Sequence, residues 1–298
     1  KSGFNNSENK AMDIVLIFNG LGNQMSQYAF YLAKRQRNNH TVYCVLGPRT
    51  QYSLDKLFDI PYRHNAVLVL LYRALDKAHF SNHCWLRRLL RLTLRLLGVK
   101  MIVEPLSRDF DMRHFTHQKG IVFYRGGWHS ELNFTAVADA VKRRFRFPKI
   151  QDAAVLAVID RIKSCQSVSL HLRRGDYLGL SEFQGVCTEA YYEHAIAYFE
   201  SQIESPEYFV FSDDPTYARE QFGADPNFHI IDLNHGEDAW CDLLMMTQCR
   251  YNIIANSTFS WWGAWLNENP SKIVVHPRYH LNGVETRDFY PRNWICIE

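Results

Sequence analysis

The chain has 298 residues, 47% of them hydrophobic and 14% aromatic, with seven tryptophans, a formal charge of +3 and a pI near 8.4. That length can bury two ordinary cores, and the charge is too mild to argue for a nucleic-acid binder, which needs a concentrated basic face. Seven cysteines, widely spaced and without a CxxC pair, indicate neither a disulfide framework nor a zinc site and fit a reducing, cytoplasmic compartment.

Residues 1–11 are polar and patternless, and are read as an appended remnant ahead of a fold that starts at Met12. No apolar run reaches the roughly 18 to 20 residues of a membrane span. DIVLIF, from Asp13 to Phe18, reads as a buried strand, and NGLGNQMSQYAFYLAKRQ follows as a glycine turn and a helix in which Met25, Tyr28, Ala29 and Leu32 recur at helical spacing. Gly20 and Gly22 permit a tight turn and close backbone approach, so the helix start offers amides to a phosphate or sugar oxygen. Asn23 and Gln24 replace the third glycine of the dinucleotide fingerprint, which weakens an NAD reading; a turn without any ligand is the alternative. TVYCVL, from Thr41 to Leu46, supplies the next strand of a βαβ unit.

Residues 50–118 show no long strand. Within them CWLRRLLRLTLRLL, from Cys84 to Leu97, carries leucine at 86, 89, 90, 94 and 97 and arginine at 87, 88, 91 and 95. This basic amphipathic helix is expected to put its leucines in the core, with peripheral contact on an anionic membrane as the alternative. IVFYR, from Ile121 to Arg125, predicts a strand and glycine turn that set Trp128 and His129 towards a sugar. A helix over 133–145 then leads to a domain boundary near Pro148, dividing 12–150 from 151–298.

In the second half, Asp152 is placed to cap a helix from Ala153 to Ser164, which precedes VSLHLRRGDY, Val168 to Tyr177. Strand alternation sends His171 and Arg173 to one side and Leu170 and Leu172 to the other, and Gly175 lets the chain turn at the strand's C-terminal edge. Further strands are expected at YFVFSDD, HIIDL, YNIIA and, last, KIVVHP, with helices between them; one from about Glu237 to Gln248 sets Asp238 and Asp242 on a shared face. This repeated β-then-α order predicts a parallel, doubly wound sheet with its strand ends on one side.

Three of those ends offer complementary groups: Arg173 with Asp176, the Asp213–Asp214 pair, and NSTFS at a helix start. An arginine gives bidentate contacts to phosphate, while Ser257, Thr258, Ser260 and nearby amides give neutral donors aided by the helix dipole, which makes a nucleoside-diphosphate site needing no metal. Asp242 suits the N1 and N2 hydrogens of guanine. Adjacent Asp213 and Asp214 point to opposite faces of a strand, so Asp213 reads as a hydrogen-bonding strut and Asp214 as a helix cap rather than as metal ligands.

With these segments in place the chain resembles the bacterial α1,2-fucosyltransferases. GLGNQMSQYA, HLRRGDY, SDDP and IIANSTFSWWGAWLN carry the likeness, from about Met12 to the C-terminus; HxRRxD belongs to the wider fucosyltransferase superfamily and NSTFSWWGAWL to the α1,2 branch. The resemblance implies an α/β fold of GT-B type with two Rossmann-like domains facing a cleft, an acceptor-side N-terminal domain and a GDP-fucose-binding C-terminal domain. It also implies inverting transfer from GDP-β-L-fucose to the 2-hydroxyl of a galactose-terminated glycan, with no metal or other cofactor. By motif match Arg173 would hold the β-phosphate, His171 the guanosine end, Asp242 the guanine, and Asn23 the phosphates or fucose. Where α1,6 relatives place a glutamate this chain has Ser181 followed by Glu182, so Glu182 and Asp176 are both candidates for the base. Ser26 replaces a common aromatic. A non-catalytic nucleotide-sugar-binding protein, a membrane-surface glycan-assembly protein and a fucosyltransferase of different linkage are the alternatives.

Overall fold

The structure is a computed structural model, and it describes residues 11–38, 40–47, 50–80, 84–116, 118–234 and 236–298, with the side chains of Cys84 and Leu86 excepted. The expected remnant, residues 1–11, therefore lies outside the described residues except for Ala11. The chain divides between Phe145 and Arg146 into two compact units.

The first unit is built on a four-stranded parallel sheet of order β2-β1-β4-β3, with β1 Met12–Ile17, β2 Thr41–Leu46, β3 Val99–Val103 and β4 Ile121–Arg125. Its helices are α1 Leu21–Arg37, α2 Leu54–Phe58, α3 Ala66–Phe80, α4 Cys84–Leu96 and α5 Ala138–Arg144. Ile14 and Leu16 of β1 pack with Val45, Phe123, Leu68, Tyr72 and Leu75 on the side covered by α3. The segment expected as one helix over 133–145 is two short 3-10 turns and then α5.

Two buried charges inside this unit are paired. Lys34 of α1 and Asp13 of β1 are both fully buried; the Lys34 ammonium lies 2.9 Å from Asp13 Oδ2, donates to the His114 carbonyl at 2.5 Å and sits 3.8 Å from the Tyr124 ring centre. Burial lowers the Lys34 pKa and Asp13 acts against that shift. Trp128 and His129 do not face a sugar: each is 1% exposed, with Trp128 stacked on Phe30 at 4.3 Å and His129 bonded through Nδ1 to Ser26 Oγ at 2.9 Å. Ser26 thus substitutes a buried hydrogen bond for the packing an aromatic would give.

The second unit holds a six-stranded parallel sheet of order β10-β9-β8-β5-β6-β7. Its strands are β5 Gln166–Leu172, β6 Pro206–Ser212, β7 Phe228–Ile231, β8 Tyr251–Ile253, β9 Val274–Pro277 and β10 Ile295–Ile297, and its helices α6 Ala153–Ser164, α7 Glu189–Gln202, α8 Pro215–Phe222, α9 Trp240–Gln248 and α10 Thr258–Leu266. KIVVHP is not the last parallel strand, because β10 pairs beyond it with β9. Period-two alternation is plain: Tyr208 and Val210 join Val168, Leu170 and Leu172 in one core, whereas Phe209 and Phe211 join Val155, Ile159 and Met245 in the other.

Ser167, Ser169 and His171 occupy the second face of β5 and are buried there. Ser167 Oγ accepts from the Arg250 amide at 3.1 Å, and Ser169 Oγ accepts from Asn252 Nδ2 at 2.7 Å, while Asn252 Oδ1 accepts from Asn267 at 2.9 Å. These bonds tie β5 to β8 and fix the register of the two strands whose ends carry the candidate site.

Candidate functional site

Strands β6 and β7 run out to one side of β5 and β8, β9 and β10 to the other, so the strand order reverses between β5 and β8. Ligands of open α/β sheets bind at the carboxyl end of such a switch point. Arg173 emerges there from β5, Asp213 from β6, and Asn256 and Ser257 from β8.

Arg173 is held between two carboxylates, with Nη1 2.9 Å from Asp213 Oδ2 and Nη2 2.6 Å from Asp176 Oδ1. Its Nε is buried and has no hydrogen-bond partner among the described residues. The two carboxylates fix the orientation of a guanidinium, the charged group best suited to an anionic oxygen. Arg174 turns away: its amide donates to Asp213 Oδ1 at 2.8 Å, its Nε lies 3.3 Å from Asp214 Oδ2, and its guanidinium sits 3.5 Å from the Tyr217 ring centre. Asp214 also caps α8 by accepting from the Tyr217 amide at 3.1 Å. The geometry therefore gives Asp213 the place of a strut and Asp214 that of a cap.

His171 is 5% exposed and bonds through Nδ1 to Ser260 Oγ at 2.8 Å. Burial, with Arg173 adding to it, pushes its pKa down to about 3, so the ring is neutral. Ser260 and Ser257 need correction as direct donors: both hydroxyls are buried, Ser260 between His171 and the Ser257 carbonyl, and Ser257 as the cap of α10 on the Phe259 amide. Thr258 is half-buried at the first turn of α10.

The loop after Asp176 is anchored by Asn256, which the motif reading did not single out. Its Nδ2 donates to the carbonyls of His280 at 3.1 Å and Phe183 at 3.4 Å, and its carbonyl oxygen accepts from Tyr177 Oη at 3.3 Å. Tyr177 stacks on Phe183 at 4.2 Å. Glu182, exposed, sits beside Phe183, and its backbone carbonyl accepts from the Asn282 amide at 2.7 Å. Asp242 stands in the first turn of α9, where Oδ1 accepts from Asn234 at 2.6 Å; Asp238 lies in a separate 3-10 turn, so the two do not share a helix face.

In the first unit Gly20 caps α1 with φ −73°, and a Cβ there would meet nothing within 4 Å. The left-handed residue of the turn is Asn19, at φ 65°. Gly20 thus leaves space rather than relieving strain. Gln24 is structural: its Nε2 donates to the carbonyls of Asn19 and Gln51, each at 2.8 Å, and its Oε1 accepts from the Ser53 amide at 3.0 Å. Gly22 is buried in the first helical turn and Asn23 is half-buried. Asn19, Gly20, Gly47, Thr50, Asp76 and Arg125 line a concavity of about 500 Å³ beside the carboxyl ends of β1, β2 and β4. Among the described residues no group of three or more His, Cys, Asp or Glu is placed to hold a metal ion.

Comparison with known proteins adds to this geometry. An Escherichia coli O-antigen biosynthesis glycosyltransferase, WbnK, is 41% identical over 138 residues, covering 45% of this chain and 46% of that one. An alpha-1,2-colitosyltransferase of E. coli is 30% identical over 294 residues, 94% of this chain and 96% of the relative. Galactoside alpha-(1,2)-fucosyltransferase 1 of Leontocebus fuscicollis is 27% identical over 257 residues, 82% of this chain and 62% of the relative. The structure of an Arabidopsis thaliana FUT1 variant in complex with GDP matches with a TM-score of 0.54 at 11% identity, over 97% of this chain and 76% of that one, a likeness of GT-B-type α/β fold. The model of glycosyl transferase family 11 matches residues 105–298, and the chain belongs to that family.

Proposed function

We propose that the protein transfers L-fucose from GDP-β-L-fucose to the 2-hydroxyl of a terminal galactose, with inversion and without a metal. The observation that carries this reading is Arg173, held by Asp176 and Asp213 at the β5–β8 switch point. The names of the relatives, an α-1,2-colitosyltransferase and an α-1,2-fucosyltransferase, support the sugar class and the linkage. The second unit is read as the donor side and the first as the acceptor side, and the motif that carries Gly20, Gly22 and Asn23 is assigned a part in holding the donor's phosphates or fucose.

As the acceptor oxygen attacks fucosyl C1 from the face opposite the diphosphate, the C1–O bond breaks and its electron pair goes to the β-phosphate. Arg173 stabilises that charge in place of a metal cation, and the preorganisation supplied by Asp213 keeps the reorganisation cost low. The acceptor proton goes to Glu182 or to Asp176. Neutral His171, steadied by Ser260, and Asp242, steadied by Asn234, are assigned to the guanosine end. Six free thiols among the described cysteines suit a cytoplasmic setting. The colitosyltransferase relative favours one second reading, in which the donor carries colitose.

Incubation with GDP-fucose and a panel of β-galactosides, with and without EDTA, followed by NMR of the product, tests the proposal. An α1,2-fucosyl galactoside formed equally in EDTA is the expected result. Donor binding without transfer to any galactoside, or a product of another linkage, would overturn it.

A further inference from the structure

Helix α4 puts only some of its leucines in the core. Leu94 is buried at 5% exposure and Leu90 half-buried, and Arg91 Nε donates to the Ala78 carbonyl of α3 at 2.9 Å; these fasten one side of α4 to the unit. The opposite side is open. Trp85 is 70% exposed, Leu89 54%, Leu92 59% and Leu96 79%. At 100° per residue these four fall within a sector of about 60°, a continuous apolar stripe along a helix of roughly 20 Å. Arg88 and Arg95, both exposed, run along one border of the stripe. From Cys84 to Lys100 the sequence has four arginines, one lysine and no acidic residue.

We propose that this face of α4 rests on an anionic lipid surface. The stripe is too apolar to be an ordinary solvated face, and its chemistry selects the occupant. Leucines enter the headgroup–acyl boundary, the tryptophan sits at the interface, and the arginines extend to lipid phosphates while their stems cover apolar surface. A second copy of the chain is a poorer fit, since pairing two such faces brings two rows of arginine together with no carboxylate between them. No described helix is long and apolar enough to cross a membrane, so contact by this stripe is peripheral. The proposal stands on exposure and charge in the first unit and is independent of the sugar donor.

The test uses the full chain with large vesicles of phosphatidylcholine alone or mixed with phosphatidylglycerol, read by sedimentation at low and high salt. Wild type is expected to sediment with the anionic vesicles and much less with the neutral ones, and to be released by salt. The triple variant Leu89→Ser, Leu92→Ser, Leu96→Ser and the double variant Arg88→Glu, Arg95→Glu should each lose about tenfold or more in apparent affinity. All five side chains are exposed, so circular dichroism and the thermal midpoint should stay at wild-type values. Absence of wild-type binding to both vesicles would overturn the proposal. So would unchanged binding by both variants, or a wild-type dimer that the leucine variant dissolves.

Discussion

Arg173 and Asp213 form an ion pair at 2.9 Å that joins the ends of β5 and β6, and the same carboxylate accepts the Arg174 amide at 2.8 Å. One aspartate thus fixes both the guanidinium and the backbone that carries it. Loss of the guanidinium in Arg173→Ala should remove about 3 kcal/mol of transition-state stabilisation, a drop of two orders of magnitude or more in kcat. Arg173→Lys keeps the charge without the planar fork and should recover only part of it. Steady-state kinetics with circular dichroism as the folding control checks this; near-wild-type turnover in Arg173→Ala would remove the residue from the mechanism.

Asp176 competes with an incoming phosphate for Arg173 Nη2, at 2.6 Å. Asp176→Asn should therefore tighten GDP binding several-fold by weakening that competitor. If Asp176 is also the base, transfer falls while GDP binding improves; if Glu182 is the base, Glu182→Gln lowers kcat and leaves GDP binding alone. Calorimetry with GDP beside acceptor-dependent turnover separates the two.

Gly175 is required by contact. A Cβ at that position would lie 2.6 Å from Asp213 Oδ2. Asp213 Oδ2 would have to move, and with it the contact that holds Arg173. Gly175→Ala should accordingly lower kcat about tenfold or more, since displacement of a positioning group by an ångström costs that and beyond. Equal kcat in the variant would show that the strut is dispensable.

Much of this arrangement is legible in the sequence because it depends on short-range pattern. The alternation of VSLHL sorts Val168, Leu170 and Leu172 from Ser167, Ser169 and His171, and the structure keeps that sorting. What the pattern does not reveal is that the polar face is buried, since its partners Arg250, Asn252 and Ser260 lie more than eighty residues away. Asn256 escapes for the same reason: its contacts with Phe183 and His280 are set by the fold, at separations of 73 and 24 residues. The five-residue β3 is hidden behind the Leu/Arg run of α4. In that run amphipathicity gives two apolar sectors of similar strength, and only packing against α3 decides which one is buried.

The Lys34–Asp13 pair is a further buried contact between α1 and β1, with His40 Nε2 3.1 Å and Asn38 Nδ2 2.9 Å from the same Asp13 oxygen. Removing one partner leaves a charge without its counterion in a dry site. Lys34→Met and Asp13→Leu should each destabilise the unit by about 3–5 kcal/mol, and the double variant by less than the sum of the two. Denaturant unfolding followed by tryptophan fluorescence measures this, and strict additivity would mean the two residues do not act as a pair.

Buried neutral histidines contribute to the acid sensitivity of the second unit. Burial is the larger cause in both His171, with a pKa pushed down to about 3, and His276, pushed down to about 4. In the unfolded chain a histidine titrates near 6.5, so on acidification the unfolded state takes up protons that the folded state refuses. The stabilising contribution is whole above about pH 6.5 and is lost progressively as pH falls towards the folded values. His171→Asn retains an amide donor for Ser260 Oγ and removes one of these titrations. Its denaturation midpoint should fall less steeply between pH 6.5 and 4 than that of wild type, whatever its value at pH 7. Parallel curves for the two proteins would mean that His171 protonates as freely in the folded state as in the unfolded one.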